Sequence, residues 1–400
     1  MSDLLRDLNS LALFRGVSHT EPLNSLRDFL NKAESDCTSD EKIEAYAAFV
    51  SVLYSIRPDA DFSAAIWDAL LSDMNPYLKS RIDMLVNPEE AEPINSLMLL
   101  TAQNELDILT KIGSVTSEDF KAEIAYDGYL PDFTSSRIDF KTRYMRVIDD
   151  LPTAGYGIYA KYLMFKIDRG EIKPVKHPDP IRTEELFCYE RQREKVVSNT
   201  QAFLMGKRAA DTLLYGDAGT GKSSTVKAVA RMFEKDGLRL VELPKTEIMN
   251  LPDVIEMLSQ IPMKFILFID DVSFESNDDR IGPLKSILEG AASGGRKNIV
   301  IYATSNRRHL IKESFADRSD EVHKTDTMAE QMSLSERFGL RVLFDKPNKM
   351  DFLTIVHKLC ELRGISIPEE ELDMKAEQFA IRGGGRSARL ARQFVDLIGG

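Results

Sequence analysis

Apolar positions recur at helical spacing through the first 170 or so residues. Leu4-Leu5-x-x-Leu8 and Leu11-x-Leu13-Phe14 predict a first amphipathic helix. Ser39-Asp40-Glu41 then opens the run Lys42 to Ile56, which Arg57-Pro58 closes, so cap, apolar face and stop signal agree. Further helices are predicted from Asp61 through Trp67 to Leu71 and over Lys79–Val86, Ile94–Ile112 and Ser117–Ala125. Tyr126 to Phe133 is a turn-rich break, and Pro152, Gly155 and Gly157 mark another. Arg169-Gly170 and the prolines at 174, 178 and 180 predict a linker.

From about residue 183 the pattern changes to short apolar runs that alternate with helical stretches. Thr212–Tyr215, Leu238–Leu243, Phe265–Ile269, Ile299–Ala303 and Leu340–Phe344 predict strands, with helices over 223–234, 246–259 and 281–291. Uninterrupted apolar strands separated by helices predict a parallel sheet covered on both faces. After Pro347 the spacing is helical again over 348–363, 368–381 and 387–398. The expected architecture is an all-α domain over 1–175, an α/β core over 183–346 and a small helical subdomain over 347–400.

Composition narrows the class. With 43% hydrophobic and 29% charged residues the chain reads as a water-soluble globular protein. No window approaches the roughly 18 uninterrupted apolar residues of a membrane span, and the mixed charges of the N-terminus do not form a signal peptide. Cys37, Cys188 and Cys360 are widely separated and odd in number, which fits a reducing cytoplasm. The five histidines form no H-x-x-x-H pair that would suggest zinc. The net charge of −12 is uneven: residues 1–175 hold 29 acids and 18 bases, the remainder 35 and 34. The front half therefore repels bare phosphate backbones, so nucleic acid is a disfavoured partner there and no membrane partner is expected.

The candidate chemistry begins at Gly216-Asp217-Ala218-Gly219-Thr220-Gly221-Lys222-Ser223, followed by Ser224. It lies between a predicted strand and a predicted helix, as a G-x-x-x-x-G-K-[ST] phosphate loop requires. Glycines let successive N–H groups turn inward toward phosphate oxygens, and the helix adds its positive end. In such a loop Lys222 reaches the β- and γ-phosphates and the Ser223 hydroxyl ligates Mg²⁺. The competing reading is a glycine turn that merely ends in Gly-Lys-Ser. The run Lys264 to Ile269 ends in Asp270-Asp271. In a nucleotide site Asp270 would hold Mg²⁺ through water and Asp271 would orient and polarise the attacking water; otherwise the pair is an acidic turn. Glu275 is a second candidate base. Ile299 to Asn306 is another apolar run ending in polar residues, which would put Asn306 near the γ-phosphate.

With these motifs in hand, the chain resembles an AAA+ ATPase. The P-loop, the Asp-Asp strand and the Asn-ended strand are followed by Ser333-Leu-Ser-Glu-Arg337-Phe338-Gly339 and a helical lid. The resemblance gives Arg337 the arginine-finger position, in a context similar to bacterial initiator ATPases. It makes Arg389 the best match to the lid's second sensor, with Arg386 the runner-up. Arg337 then implies a homo-oligomer, since a finger acts on a neighbour's nucleotide. Leu186 and Tyr189 precede the first core helix, where the family cradles adenine; ATP rather than GTP is implied by the family alone. Arg307, Arg308 and His309 directly follow the Asn-ended strand and could face a neighbour, a substrate or solvent.

More narrowly, the words Tyr189-Glu190-x-Gln192, Phe268 to Glu275, Leu284 to Gly290 and Tyr302 to Leu310 resemble an uncharacterised group of bacterial AAA+ ATPases catalogued as a domain of unknown function. The front half resembles it weakly, chiefly around Ala64 to Pro76. No aromatic–hydrophobic–Gly pore loop occurs between Val241 and Leu251, which weakens a protein-threading reading. The expectation is an ATP- and Mg²⁺-dependent switch acting on a protein client through its helical front domain. A nucleotide-gated scaffold or loader with little turnover is the alternative, and a DNA-associated loader is a third reading.

Overall fold

The computed structural model describes residues 2–178, 186–275, 278–290, 296–306, 311–312 and 334–399. The chain divides into two units, 1–161 and 162–400. Among the described residues no helix is long and apolar enough to cross a membrane.

The first unit is all-helical, with Ser2–Ser10, Glu21–Glu34, Ser39–Ile56, Phe62–Ser72, Pro76–Val86, Ser96–Gly113 and Phe140–Asp149 as its longer helices. Glu21–Glu34 is absent from the predicted set, although Leu23, Leu26, Phe29 and Leu30 form its buried face and Pro22 stands at its start. The helix over Ser39–Ile56 is capped one residue earlier than predicted: Thr38 and Glu41 make a reciprocal capping box. Its core is aromatic. Phe49 meets Phe62, Phe120 and Phe133 at ring-centroid distances of 5.3, 5.8 and 5.5 Å, all edge-on. The Glu105 carboxylate is buried among these helices and accepts from three consecutive amides, Ala12 at 2.9 Å, Leu13 at 3.1 Å and Phe14 at 2.9 Å.

The second unit starts with a hairpin where a helix end and a linker were expected. Strands β1 (Met164–Asp168) and β2 (Glu171–Pro174) pair antiparallel, and β1 also pairs in parallel with β4 (Leu238–Glu242). The front domain therefore ends near 161 and not at 175. Arg169 and Gly170, read as a break, are the two turn residues; both have positive φ, 54° and 76°, as a tight two-residue hairpin turn demands. Glu247 accepts from both of their amides, at 3.1 and 3.2 Å.

The remaining strands of the main sheet are β3 (Thr212–Gly216), β5 (Lys264–Ile269), β7 (Ile299–Ser305) and β9 (Leu340–Phe344). Short strands β6 (Phe274–Glu275) and β8 (Ile311–Lys312) form a separate parallel pair. The seven-stranded order is β2-β1-β4-β5-β7-β3-β9, parallel except for β2. Every residue of β7 is buried, as expected for a central parallel strand covered on both faces. Helices over Glu190–Leu204, Lys222–Met232, Leu251–Ser259 and Ile281–Gly290 connect the strands. The predicted helix over 246–259 is split: Lys245–Asn250 is a 3₁₀ segment, and Pro252 stands in the first turn of the α-helix that follows. Helices over Lys349–Leu362, Glu369–Arg382 and Ala388–Gly399 make the lid, with its own apolar core around Phe352, Val356, Ala376 and Phe394. The fold is an α/β P-loop NTPase of AAA+ type with a C-terminal helical lid, preceded by an all-α unit.

Candidate nucleotide site

Parallel strands deliver their C-terminal ends to one edge of the sheet, so the residues just after β3, β5 and β7 converge there. A cavity of about 530 Å³ opens at that edge. Its lining includes Gly219 to Thr225, Asp270, Asp271, Thr304, Asn306, Leu186, Tyr189 and Arg389.

The loop geometry follows from its glycines. Gly216, Gly219 and Gly221 all have positive φ, of 124°, 74° and 91°. At Gly216 a Cβ would lie 2.3 Å from the Phe344 carbonyl oxygen, so a side chain would push the loop off β9. Asp217 fastens the same junction: its amide donates to Phe344 O at 3.0 Å, and its carboxylate accepts from the Lys346 amide at 3.1 Å. Asp217 is thus turned toward β9, and Ala218 follows it in the loop. The Thr220 hydroxyl donates to Asp217 O at 2.9 Å, closing the turn.

Lys222 is only 5% exposed, and its Nζ donates to the carbonyls of Gly216 at 3.0 Å and Asp217 at 2.6 Å. Burial lowers its pKa to about 8; Asp217, Asp270 and Asp271 oppose that shift. An ammonium held by two neutral carbonyls and short of negative charge is a receptor for an anion. Ser223 Oγ donates to Asp270 Oδ1 at 2.6 Å, and Thr304 Oγ1 donates to the same oxygen at 2.5 Å. A hydroxyl and a carboxylate side by side are hard oxygen donors, the set that fits Mg²⁺. Ser224 also lines the cavity.

Asp271 has a φ of 53°, a left-handed conformation unusual for a non-glycine residue. Its amide donates to Thr304 Oγ1 at 2.8 Å. Its carboxylate is held by Lys245 Nζ at 3.0 Å and Asn306 Nδ2 at 2.8 Å. Asn306 therefore lines the cavity through a bond to the candidate base. Glu275 lies in β6.

From the lid, the Arg389 amide donates to Gly219 O at 3.1 Å, and Arg389 Cβ would be 3.2 Å from a Cβ on Gly219. The lid helix thus rests on the phosphate loop. Arg386, the runner-up, is engaged by Glu377 in a two-bond fork at 2.8 and 2.6 Å, while Arg389 and Arg392 line the cavity. At the opposite wall Tyr189, with a φ of 59°, donates its hydroxyl to Asp345 O at 2.6 Å and packs its ring 5.3 Å from Phe344. Burial pushes its pKa well above the ordinary phenol value. Leu186 and Phe187 complete this apolar wall.

Arg337 is not brought to this cavity. It follows the helical turn at 334–336 and pairs with Glu289 on the helix over Ile281–Gly290. Ser333, Arg307, Arg308 and His309 lie outside the described residues. Pattern reading missed Thr304, which clamps both Asp270 and the Asp271 amide, and Lys245, which pairs with Asp271. Thr304 had a signal, a polar residue ending an apolar run two before Asn306. Lys245, 26 residues from Asp271 in a 3₁₀ segment, had none.

The family described as "Protein of unknown function (DUF815)" matches residues 160–400. The chain belongs to this family. The match begins at the β1–β2 hairpin, so the DUF815 region takes in the whole second unit and leaves the helical unit outside it. Among solved structures, the Thermotoga maritima RuvB Holliday junction branch migration motor is similar at 13% identity. That likeness covers 55% of this chain and 72% of that one, with a TM-score of 0.34. A lysine-to-arginine mutant of the same motor matches at 11% identity, with the same coverage and TM-score. A comparison with curated proteins returned no match. For the DUF815 chain the phosphate loop between β3 and its following helix makes the coarse activity nucleotide binding.

Proposed function

We propose that this protein binds ATP with Mg²⁺ and hydrolyses it, and that the cycle drives a conformational switch acting on a protein client. The observation that carries the reading is the convergence of Lys222, Ser223, Asp270, Asp271, Asn306 and Arg389 on one cavity. ATP enters with its base against Leu186, Phe187 and Tyr189 and its phosphates along the loop amides. Lys222 leaves its two carbonyls for the β- and γ-phosphate oxygens, and Ser223 and Asp270 hold the magnesium ion. Magnesium supplies charge neutralisation at the β- and γ-phosphates. Asp271 orients and polarises the attacking water, and Asn306 fixes the direction of that carboxylate. Arg389 joins the phosphate site to the lid, so loss of the γ-phosphate changes the lid's hold on the loop. Arg337, paired with Glu289 outside its own cavity, serves a neighbouring copy; an arginine supplied across a subunit contact is worth about 10³–10⁵ in rate.

The test is MgATP hydrolysis and nucleotide binding by wild type and Asp271→Asn. The expected outcome is turnover reduced at least about tenfold with ATP affinity retained. The ATP-held variant is then the form with which to capture the client. Unchanged turnover would overturn the role of Asp271.

A nucleotide-gated scaffold with little turnover is the second reading. The pinning of Asp271 by Lys245 and Asn306 favours it, because both carboxylate oxygens are already engaged by donors and must be released before either can take a proton from water. ATP-dependent assembly without measurable phosphate release would decide for it.

A further inference from the structure

At the other end of the same strands lies a second recess, of about 440 Å³, lined by residues that precede or begin β3, β5 and β7. It shares no lining residue with the nucleotide cavity. Five cations surround it, Lys207, Arg208, Lys264, Arg296 and Lys297, against one carboxylate, Asp211. That carboxylate is already committed: Oδ1 accepts the Ile301 amide at 2.8 Å and Oδ2 the Arg296 Nη2 at 2.8 Å. It has nothing left with which to balance the others.

Arg296 and Asp211 are each 7% exposed. Arg296 Nη2 also donates to Ile287 O at 3.0 Å, but its buried Nη1 has no hydrogen-bond partner among the described residues. An unsatisfied guanidinium N–H at such depth is costly. Lys264 Nζ donates to the Lys297 carbonyl at 2.8 Å and lies 4.9 Å over the Phe203 ring; its burial lowers its pKa. The exposed side chains of Lys207, Arg208 and Lys297 form no ion pair among the described residues. In a chain of net charge −12, concentrating unpaired cations in a concavity repels unless an anion is present.

We propose that this recess is a second anion site, which takes a small ligand carrying two or more phosphate groups. A single carboxylate would neutralise one cation of the five, whereas each phosphate monoester brings about −1.5 to −2. The volume falls in the range of small-molecule sites, about 300–1,000 Å³. A nucleic-acid strand fits less well: the one aromatic side chain in the lining, Phe203, is 6% exposed, so no platform for base stacking is offered. The site is independent of the ATPase reading.

Tripolyphosphate is the probe, titrated calorimetrically into the full chain at low salt. The background is Lys222→Ala, which removes the lysine contact of the phosphate loop. Saturable binding is expected to persist there and to weaken at least tenfold when Lys207→Glu, Arg208→Glu and Lys297→Glu are combined. These three side chains are exposed, so the reversal removes no packing, and in the chain with Lys222 intact it leaves ATP affinity unchanged. Absence of binding in the Lys222→Ala background, or binding indifferent to the charge reversal, overturns the proposal. So does a single-stranded oligonucleotide that binds through the same three residues where tripolyphosphate does not.

Discussion

The helical unit buries the carboxylate of Glu105, and the sheet unit buries the ammonium of Lys222; each residue is 5% exposed. Glu105 faces the three consecutive amides of Ala12, Leu13 and Phe14, partners that the fold supplies permanently. Lys222 faces two carbonyls of its own loop, and its pKa has fallen to about 8. A buried charge with full partners holds a structure together, while one with neutral, local partners is kept ready for a ligand. The contrast separates architecture from chemistry without reference to any relative.

Removing each charge should therefore have opposite consequences. Lys222→Ala is expected to lower MgATP turnover by about 10²–10³ or more, since a group aimed at transferring phosphoryl charge is lost. Its thermal unfolding midpoint should not fall, because a desolvated cation goes with it. Steady-state phosphate release and a melting curve measure both. If turnover survives, Lys222 is an architectural lysine and the contrast fails. Glu105→Leu should leave nucleotide affinity intact and cost about 3 kcal/mol or more, through amides left without an acceptor. Urea unfolding followed by the tryptophan of the helical unit, Trp67, measures this.

How much of this was open to pattern reading depends on the range of the interaction. All five predicted strands of the core appear within two residues of their predicted ends, because buried parallel strands write themselves as unbroken apolar runs. The loop from Gly216 to Ser223 is equally local, since its glycines encode φ angles and its lysine sits at fixed spacing. The β1–β2 hairpin was illegible for a physical reason. Lys166 and Asp168 alternate with buried Phe165 and Ile167 over only five residues, too short to distinguish from a helix end. Its turn, Arg169-Gly170, carries no Asn-Gly or Asp-Gly signature. The grip of Lys245 on Asp271 and the engagement of Arg386 by Glu377 are tertiary facts, and neither residue's neighbours in sequence announce them.

A smaller effect sharpens the contrast through pH. With a folded pKa of about 8 against an ordinary 10.5, the unfolded chain binds more protons at Lys222 between those values. This residue's contribution to stability accordingly rises with pH across that window. An arriving triphosphate favours the charged amine, so binding near pH 8 should take up about half a proton. Calorimetry in buffers of different ionisation enthalpy reads the number, and the uptake should vanish in Lys222→Ala. The smallest effect concerns Asp271. Lys245→Met releases a half-exposed ion pair, worth about 0–1 kcal/mol. Turnover is expected to rise no more than about fivefold if Asp271 is the base, and single-turnover kinetics would register it.

The hairpin that pattern reading missed also decides where the protein can be divided. Strand β4 has β5 on one side and β1 on the other, so a fragment starting at residue 183, where the motif-bearing sequence begins, would strip β1 and β2 away. Leu240 and Val241, both buried and both in register with β1 residues, would then form a bare, flat, apolar edge of the kind that recruits other chains into non-native sheets. Starting at Tyr162 keeps that margin sealed. The eleven residues from Met164 to Pro174 thus act as the selvedge of the sheet, absent from the lining of the nucleotide cavity yet covering the edge of β4 that would otherwise lie open.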